Sequence, residues 1–249
     1  MSRLEYKYLV PVRLLDELRE NILPFLNYDK YTLLRDNREY TVRSLYFDTS
    51  TLNSYHEKLS GLMDRNKFRI RTYNERVENS PAFLEIKRKS SDFVYKDRFQ
   101  LYFSDVLNFL QTKDLLLIQN KMNGETELPQ NAKNFLFHYE SKGLLPIVNV
   151  VYDREAYECK FGSTLRVTFD KHVRSSVATS FENLFDELPL KQSLKGFFVL
   201  EIKFHKVLPY WIPQIINRYH LVRQAVSKYT IAVDANKIND RFFQPYSFS

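Results

Sequence analysis

Apolar and polar residues alternate along most of this chain. Residues 4–10, 40–47, 67–73, 82–89, 93–102, 147–157, 164–173 and 197–205 show period-two patterning rich in β-branched and aromatic side chains, and each reads as a strand. Helical spacing interrupts them. Leu15, Leu18, Ile22 and Phe25 recur on one face of a helix predicted over 12–25, which Pro11 can open. Further short helices are predicted over 105–110, 131–139, 209–219 and 227–235, with turns at 78–81, 90–92 and 162–163. The segment 177–194 follows neither period. No fixed repeat, low-complexity linker or composition break divides the chain. The pattern predicts one α+β domain over residues 1–249, dominated by antiparallel strands.

The polar positions of these strands are nearly all basic. Lys67, Arg69 and Arg71 share a face opposite Phe68 and Ile70, and Lys96 and Arg98 share one on the following strand. Glutamate recurs in the same register: Arg3, Glu5 and Lys7; Glu85, Lys87 and Lys89; Glu201 and Lys203. Arg166 stands between Leu165 and Val167. For any one strand, the ordinary reading is a half-buried sheet whose polar face meets water. Solvated faces, however, mix Ser, Thr, Gln and both charge signs. Arginines two apart lie roughly 6–7 Å from each other, a repulsion that an intervening anion relieves. The apolar faces need cover, which amphipathic helices can supply from outside. Both requirements agree with a sheet curled so that its charged face lines an interior. A wet basic lumen is a polyanion site.

Composition narrows the chemistry. Five glycines (Gly61, Gly124, Gly143, Gly162 and Gly196) are too scattered for a Walker loop or a dinucleotide fingerprint, so side chains must hold any phosphate. The five histidines form no HExxH pair, and no Gly-x-Ser-x-Gly elbow is present. One cysteine, Cys159, excludes a disulfide framework and a thiolate metal site. The formal charge of +7 and a pI near 9.2 favour anionic partners. Apolar runs such as 115–118 and 144–152 fall short of the ~18–20 residues of a membrane helix, and no hydrophobic signal core opens the chain. The expectation is a soluble, cytoplasmic protein.

Roles within a basic lumen follow from charge. Guanidinium and ammonium groups neutralise phosphate oxygens, arginine bidentately. Carboxylates cannot bind phosphate, so Glu5, Glu85 and Glu201 are the candidates to hold a divalent cation bridging two phosphoryl groups. A salt bridge to a neighbouring base is the competing role for each.

Eight motifs in order carry a resemblance. They are Arg3-Leu-Glu-Tyr-Lys-Tyr-Leu-Val10, Arg43-Ser-Leu-Tyr-Phe-Asp48, Lys67-Phe-Arg-Ile-Arg71, Leu84-Glu-Ile-Lys-Arg-Lys89, Lys96-Asp-Arg-Phe99, Leu165-Arg-Val-Thr-Phe-Asp170, Val199-Leu-Glu-Ile-Lys203 and Ser227-Lys-Tyr229. Together they resemble the VTC domain, the polyphosphate polymerase domain of the vacuolar transporter chaperone family, within the triphosphate tunnel metalloenzymes. The resemblance spans nearly the whole chain. It implies an eight-stranded antiparallel β-barrel tunnel with a basic lumen, surrounded by helices, that binds ATP, triphosphate or polyphosphate with Mn²⁺ or Mg²⁺. By position, Lys7, Arg69, Arg71, Lys87, Lys96, Arg166 and Lys228 match the tunnel's phosphate-binding bases. Arg43, Lys89, Arg98, Arg174 and Lys203 are additions, and Glu201 matches the metal-binding glutamate. Catalytic contacts would fall to Arg69, Arg71, Lys87, Arg166 and Lys228. The Glu-x-Glu-x-Lys opening of the wider superfamily has Arg3 at its first position here, which favours the VTC branch and leaves fewer first-strand carboxylates for metal. Product translocation would need a separate membrane partner.

The expected reaction is metal-assisted phosphoryl transfer, with no protein nucleophile. The acceptor is a phosphate chain in a polymerase and water in a triphosphatase, and the sequence leaves both open. Replacing Arg69, Arg71 or Glu201 by alanine is expected to abolish turnover with stability nearly intact. A non-enzymatic module for RNA or polyphosphate is the rival class. RNA readers display aromatic platforms beside bases, whereas the aromatics here alternate away from the charges. Tyr46, Phe47, Tyr229 and Trp211 are the exceptions to check, and no nucleic acid is expected.

Overall fold

The computed structural model describes residues 4–90, 93–112 and 129–242. Arg3, the run 115–118 and part of the turn at 90–92 lie outside the described residues. The strands are β1 (Leu4–Pro11), β2 (Leu26–Tyr28), β3 (Tyr40–Asp48), β4 (Arg65–Tyr73), β5 (Pro81–Ser90), β6 (Phe93–Tyr102), β7 (Leu145–Cys159), β8 (Arg166–Val177), β9 (Lys191–Gln192) and β10 (Phe197–Phe204). All eight strands predicted from alternation are present, with ends shifted by a few residues. The two-residue β9 and three-residue β2 are too short to show a period. The helix predicted over 12–25 divides into a 3-10 turn, Val12–Leu14, and an α-helix, Leu15–Ile22.

The chain's contacts gather into two units. The first comprises Met1–Val42, Val151–Arg174 and Gln192–Lys228, and the second Arg43–Val150, Ser175–Lys191 and Tyr229–Ser249. In the first, the strand order is β1-β10-β8-β7. In the second it is β7-β3-β4-β5-β6. The mixed α+β class and antiparallel pairing are as the pattern predicts. The order ends on β1 and β6, with no closing ladder among the described residues.

Each unit has its own core. In the first, Val167, Phe169, Leu200 and Ile202 form the apolar face of β8 and β10, covered by Leu18 and Ile22 of one helix and by Trp211 and Ile212 of helix Trp211–Arg218. In the second, Phe68, Ile70, Leu84, Ile86 and Phe99 lie beneath helices Phe103–Thr112 and Gln130–Ser141 through Val106, Phe109, Ala132 and Phe135. The helices thus cover the apolar faces, leaving the alternate positions of the same strands for charge.

Helix Asn53–Leu59 gave no signal in the pattern because its start is held from a distance. Asp48, wholly buried, accepts the backbone amides of Ser54 and Tyr55 at 2.9 and 3.0 Å. Leu52 sits before it at φ 55°, a left-handed conformation unusual for a branched side chain. The same Asp48 accepts the Tyr229 hydroxyl at 2.5 Å.

On the helix-covered side of the first unit, Glu155 of β7 gathers three donors. Arg19 donates at 2.7 and 2.9 Å and Tyr157 at 2.5 Å, and Lys171 pairs with the same carboxylate. Burial would raise this carboxyl, but Arg19, Lys171 and Tyr157 bring it from 4.5 to about 2. A carboxyl lowered on folding stabilises above its unfolded value and loses that contribution as pH falls from 4.5 towards 2. Glu155→Gln is therefore expected to cost on the order of 3 kcal/mol at neutral pH and to flatten the acid limb of stability. Urea unfolding of both proteins at pH 7 and pH 3 checks this; an equal difference at both pH values contradicts it.

Candidate functional site

In the second unit, adjacent strands align their charges into rows. Lys67 of β4 faces Lys87 of β5, which faces Lys96 of β6, and in the next row Arg69 faces Glu85, which faces Arg98. Arg71 follows Arg69 on the same side of β4. Glu85 is fully buried, and its carboxylate is the hub. Arg69 Nη2 and Nε lie 2.6 and 2.7 Å from Oε2, Arg98 Nε lies 3.3 Å from Oε1, and Lys96 pairs with Oε1. Burial pushes the Glu85 carboxyl up, but Arg69, Arg71 and Lys96 hold it well below the ordinary range. One carboxylate thus stands among six bases, the five of these rows and Arg71.

Aromatic rings frame this face. Arg69 Nη1 donates to the Tyr46 hydroxyl at 3.0 Å, Tyr46 stacks on Tyr229 at 5.2 Å, and the Arg98 guanidinium lies 3.5 Å from the Phe83 centroid. Burial and Asp48 raise the Tyr229 phenol, so it stays protonated as a donor. Tyr46, Phe47, Tyr229 and Trp211 are all buried, so none offers an exposed stacking platform. Arg43 is buried on β3, where Nε donates to the Asn74 carbonyl at 2.8 Å and the guanidinium pairs with Glu187. Lys89 lies at the far end of β5, opposite Arg65.

The first unit holds a different cluster. Its registers set Glu5 opposite Lys203 and Lys7 opposite Glu201, with Glu201 opposite Thr168. Glu201 is 4% exposed, and four cations surround it: Lys203 at 2.7 Å, Lys228 at 3.0 Å, Lys7 at 3.4 Å and Arg154 at 3.7 Å. Lys203 also reaches Glu5 at 3.3 Å. Asp170, wholly buried, accepts Arg154 at 2.6 and 2.8 Å and pairs with Lys228. Burial lowers the Lys228 ammonium, yet Asp170 and Glu201 carry it above the ordinary lysine value. Burial likewise raises Glu201, and Lys203, Lys228, Lys7 and Arg154 bring it well below the usual range.

The sequence-derived residues thus fall into two groups and four outliers, Arg43 and Lys89 as described above and Arg166 and Arg174. Arg69, Arg71, Glu85, Lys87, Lys96 and Arg98 come together in the second unit, and Glu5, Lys7, Glu201, Lys203 and Lys228 in the first. Arg166 pairs with Asp29 at 2.7 Å and Glu158 at 3.6 Å, and Arg174 with Asp153 at 2.9 Å. Sequence reasoning missed Arg154 and Asp170. Asp170 was legible from parity, because Arg166, Thr168 and Asp170 alternate with Val167 and Phe169 on β8.

Among the described residues, no three carboxylate, imidazole or thiol side chains converge as a closed metal site. Glu85, Asp170 and Glu201 are each paired with guanidinium or ammonium groups, so a cation at any of them would have to displace a base. Glu201, with Glu5 linked to it through Lys203, offers the kind of donor that suits a hard cation arriving with its phosphate, since Mg²⁺ takes one or two carboxylates and fills its shell from phosphate and water.

A model of the VTC domain family matches residues 2–236. The chain is 24% identical to the vacuolar transporter chaperone complex subunit 4 of Schizosaccharomyces pombe, an alignment that covers 90% of this chain and 35% of that protein. The chain therefore spans about a third of that relative's length. Among solved structures, the Hippeastrum protein HpAC1, described as having a dominant triphosphatase activity, is 13% identical with a TM-score of 0.49, covering 95% of this chain and 97% of that one. The PH1819 protein of Pyrococcus horikoshii OT3 is 13% identical with a TM-score of 0.47, covering 93% and 98%. No described helix is long and apolar enough to cross a membrane.

Proposed function

Because this chain belongs to the VTC domain family, we propose that it transfers phosphoryl groups on triphosphate and polyphosphate chains, building polyphosphate from ATP. The observation that carries the reading is the Glu85-centred face, where six bases in cross-strand rows share a single carboxylate. Such an excess of positive charge matches a chain of phosphates, each bearing about one negative charge.

Arg69, Arg71, Lys87, Lys96 and Arg98 bind non-bridging phosphoryl oxygens. As the γ-phosphorus leaves the bridging oxygen of ADP and bonds to the terminal oxygen of the acceptor chain, fixed guanidinium groups stabilise the charge on both oxygens. Glu85 acts as the anchor that pre-orients three of these bases. In the first unit, Lys7, Lys203 and Lys228 present ammonium groups around Glu201, and Glu201 with Glu5 would hold Mn²⁺ or Mg²⁺. When bound, that cation neutralises phosphoryl oxygens. Arg43, Lys89, Arg166 and Arg174 serve at longer range, each next to or held by other groups of its unit. Membrane translocation, if coupled, falls to a separate partner.

A time course with ATP and Mn²⁺, with and without a short polyphosphate primer, tests this by scoring ADP, free phosphate and long chains separately. Long chains with matching ADP, accelerated by primer and stopped by chelator, are expected. Free phosphate without chains would make water the acceptor and the protein a triphosphatase. Binding without turnover would reduce it to a polyanion-binding module.

A further inference from the structure

A cavity of about 260 Å³ opens in the second unit at the ends of β4 and β5, away from Glu85. Its wall includes the cross-strand row Asn66, Arg88 and Tyr95, which lies on the helix-covered side of the sheet. The facing pair Arg65 and Lys89 also lines it, and Lys142 follows the end of helix Gln130–Ser141. Gly143, at φ 57°, supplies the left-handed turn that ends this helix directly after Lys142.

The lining decides what fits. Eleven of its fourteen residues are polar or charged. Pockets for organic ligands are mostly apolar and span ~300–1,000 Å³, so this one suits a small hydrated ion better than a nucleotide. Four cations, Arg65, Arg88, Lys89 and Lys142, face two carboxylates, Glu57 and Asp64, which leaves the cavity positive. Among the described residues, the side chains of Lys89 and Lys142 make no hydrogen bond or ion pair. Arg88 Nη2 pairs with Asp97 at 2.6 Å, but its buried Nε has no partner among those residues. Burial, Arg88 and Lys142 together lower the imidazole of nearby His138, a second sign of a positive local field.

We infer that this cavity is an anion site for a short inorganic phosphate, orthophosphate to pyrophosphate in size, distinct from the Glu85-centred face. Donors of Arg88 and Lys142 that have no partner among the described residues bind its oxygens, and Glu57 and Asp64 weaken the grip enough to keep it exchangeable. The assignment stands on the cavity alone and does not require the phosphoryl-transfer reading.

Pyrophosphate titrated calorimetrically into the full chain tests it. Two classes of site are expected. Lys142→Glu should weaken one class about tenfold or more, and Glu57→Gln should tighten the same class, with thermal melts confirming that both variants fold. Arg69→Ala with Arg71→Ala should weaken only the other class. A single class insensitive to Lys142→Glu and Glu57→Gln would overturn the assignment. Sensitivity to those two but not to the arginine pair would uphold it while removing support for the Glu85-centred face. The opposite signs expected at Lys142 and Glu57 separate a binding role from a merely structural one.

Discussion

Glu201→Ala is expected to lower the melting temperature by roughly 6–12 °C, in addition to any loss of turnover. The carboxylate is almost wholly enclosed, and four cations lie within 3.7 Å of it. Removing one partner of a buried ion pair costs about 3–5 kcal/mol, because the charge left behind keeps its desolvation penalty. Here Asp170 still balances Arg154 and Lys228, and Glu5 still balances Lys203, so the lower end applies. This replaces the sequence-based expectation that the variant keeps its stability. The deleted charge also leaves a site with a stronger demand for anions. Tripolyphosphate should therefore raise the melting temperature of Glu201→Ala more than that of the parent, read by scanning calorimetry with and without ligand. Equal melting temperatures for the two proteins would mean that the four cations do not depend on Glu201.

The second large effect is expected at Arg69 and Arg71, and the two should part company. Arg71→Ala should lower turnover by about 10²–10³-fold, the usual loss when one fixed donor to a developing oxyanion is removed, with a smaller loss of stability than Arg69→Ala. Arg71 Nε reaches the Ser44 hydroxyl at 3.4 Å, and its charge adds to the larger effect of Arg69 on Glu85. Arg69→Ala should lose comparable turnover and also melt earlier, because Arg69 neutralises the enclosed Glu85 and bonds Tyr46. Arg69→Lys should recover little, since a single ammonium cannot reproduce the planar fork that reaches both partners. Steady-state kinetics paired with melting curves checks the pair. Matching losses of stability in both alanine variants would dissolve the distinction.

Much of this architecture is legible in the order of residues alone. Alternation locates the eight long strands, and parity sorts Lys67, Arg69 and Arg71 from Phe68 and Ile70 because one side of the sheet is covered and the other charged. Three kinds of feature escape. Asp153, Arg154 and Glu155 are consecutive charges in β7, and both sides of that strand carry buried ion pairs, so alternation of polarity vanishes while alternation of direction persists. The helix at Asn53–Leu59 depends on Asp48, a cap supplied from a preceding strand rather than from the adjoining residue. The restraint on the acids is also hidden. Spacing shows that Glu85 and Glu201 share a face with bases, but only the paired registers show how many bases each must satisfy.

The partition into two units has a consequence for synthesis. Each unit is threaded from three separate stretches. The first is complete only when Gln192–Lys228 is present, and the second only when Tyr229–Ser249 has joined Arg43–Val150 and Ser175–Lys191. As the chain leaves the ribosome, β1 emerges nearly two hundred residues ahead of its ladder partner β10, about ten seconds or more at ordinary translation rates. Throughout that delay Lys7 lacks Glu201, and Asp48 lacks the hydroxyl of Tyr229. Neither unit can mature before the other has been almost wholly translated. Nascent chains should thus stay protease-sensitive along their length until late, then gain protection in both units within a short span of elongation. A cut anywhere between Arg43 and Lys228 would divide both units at once, so the natural unit of inheritance is the whole described stretch.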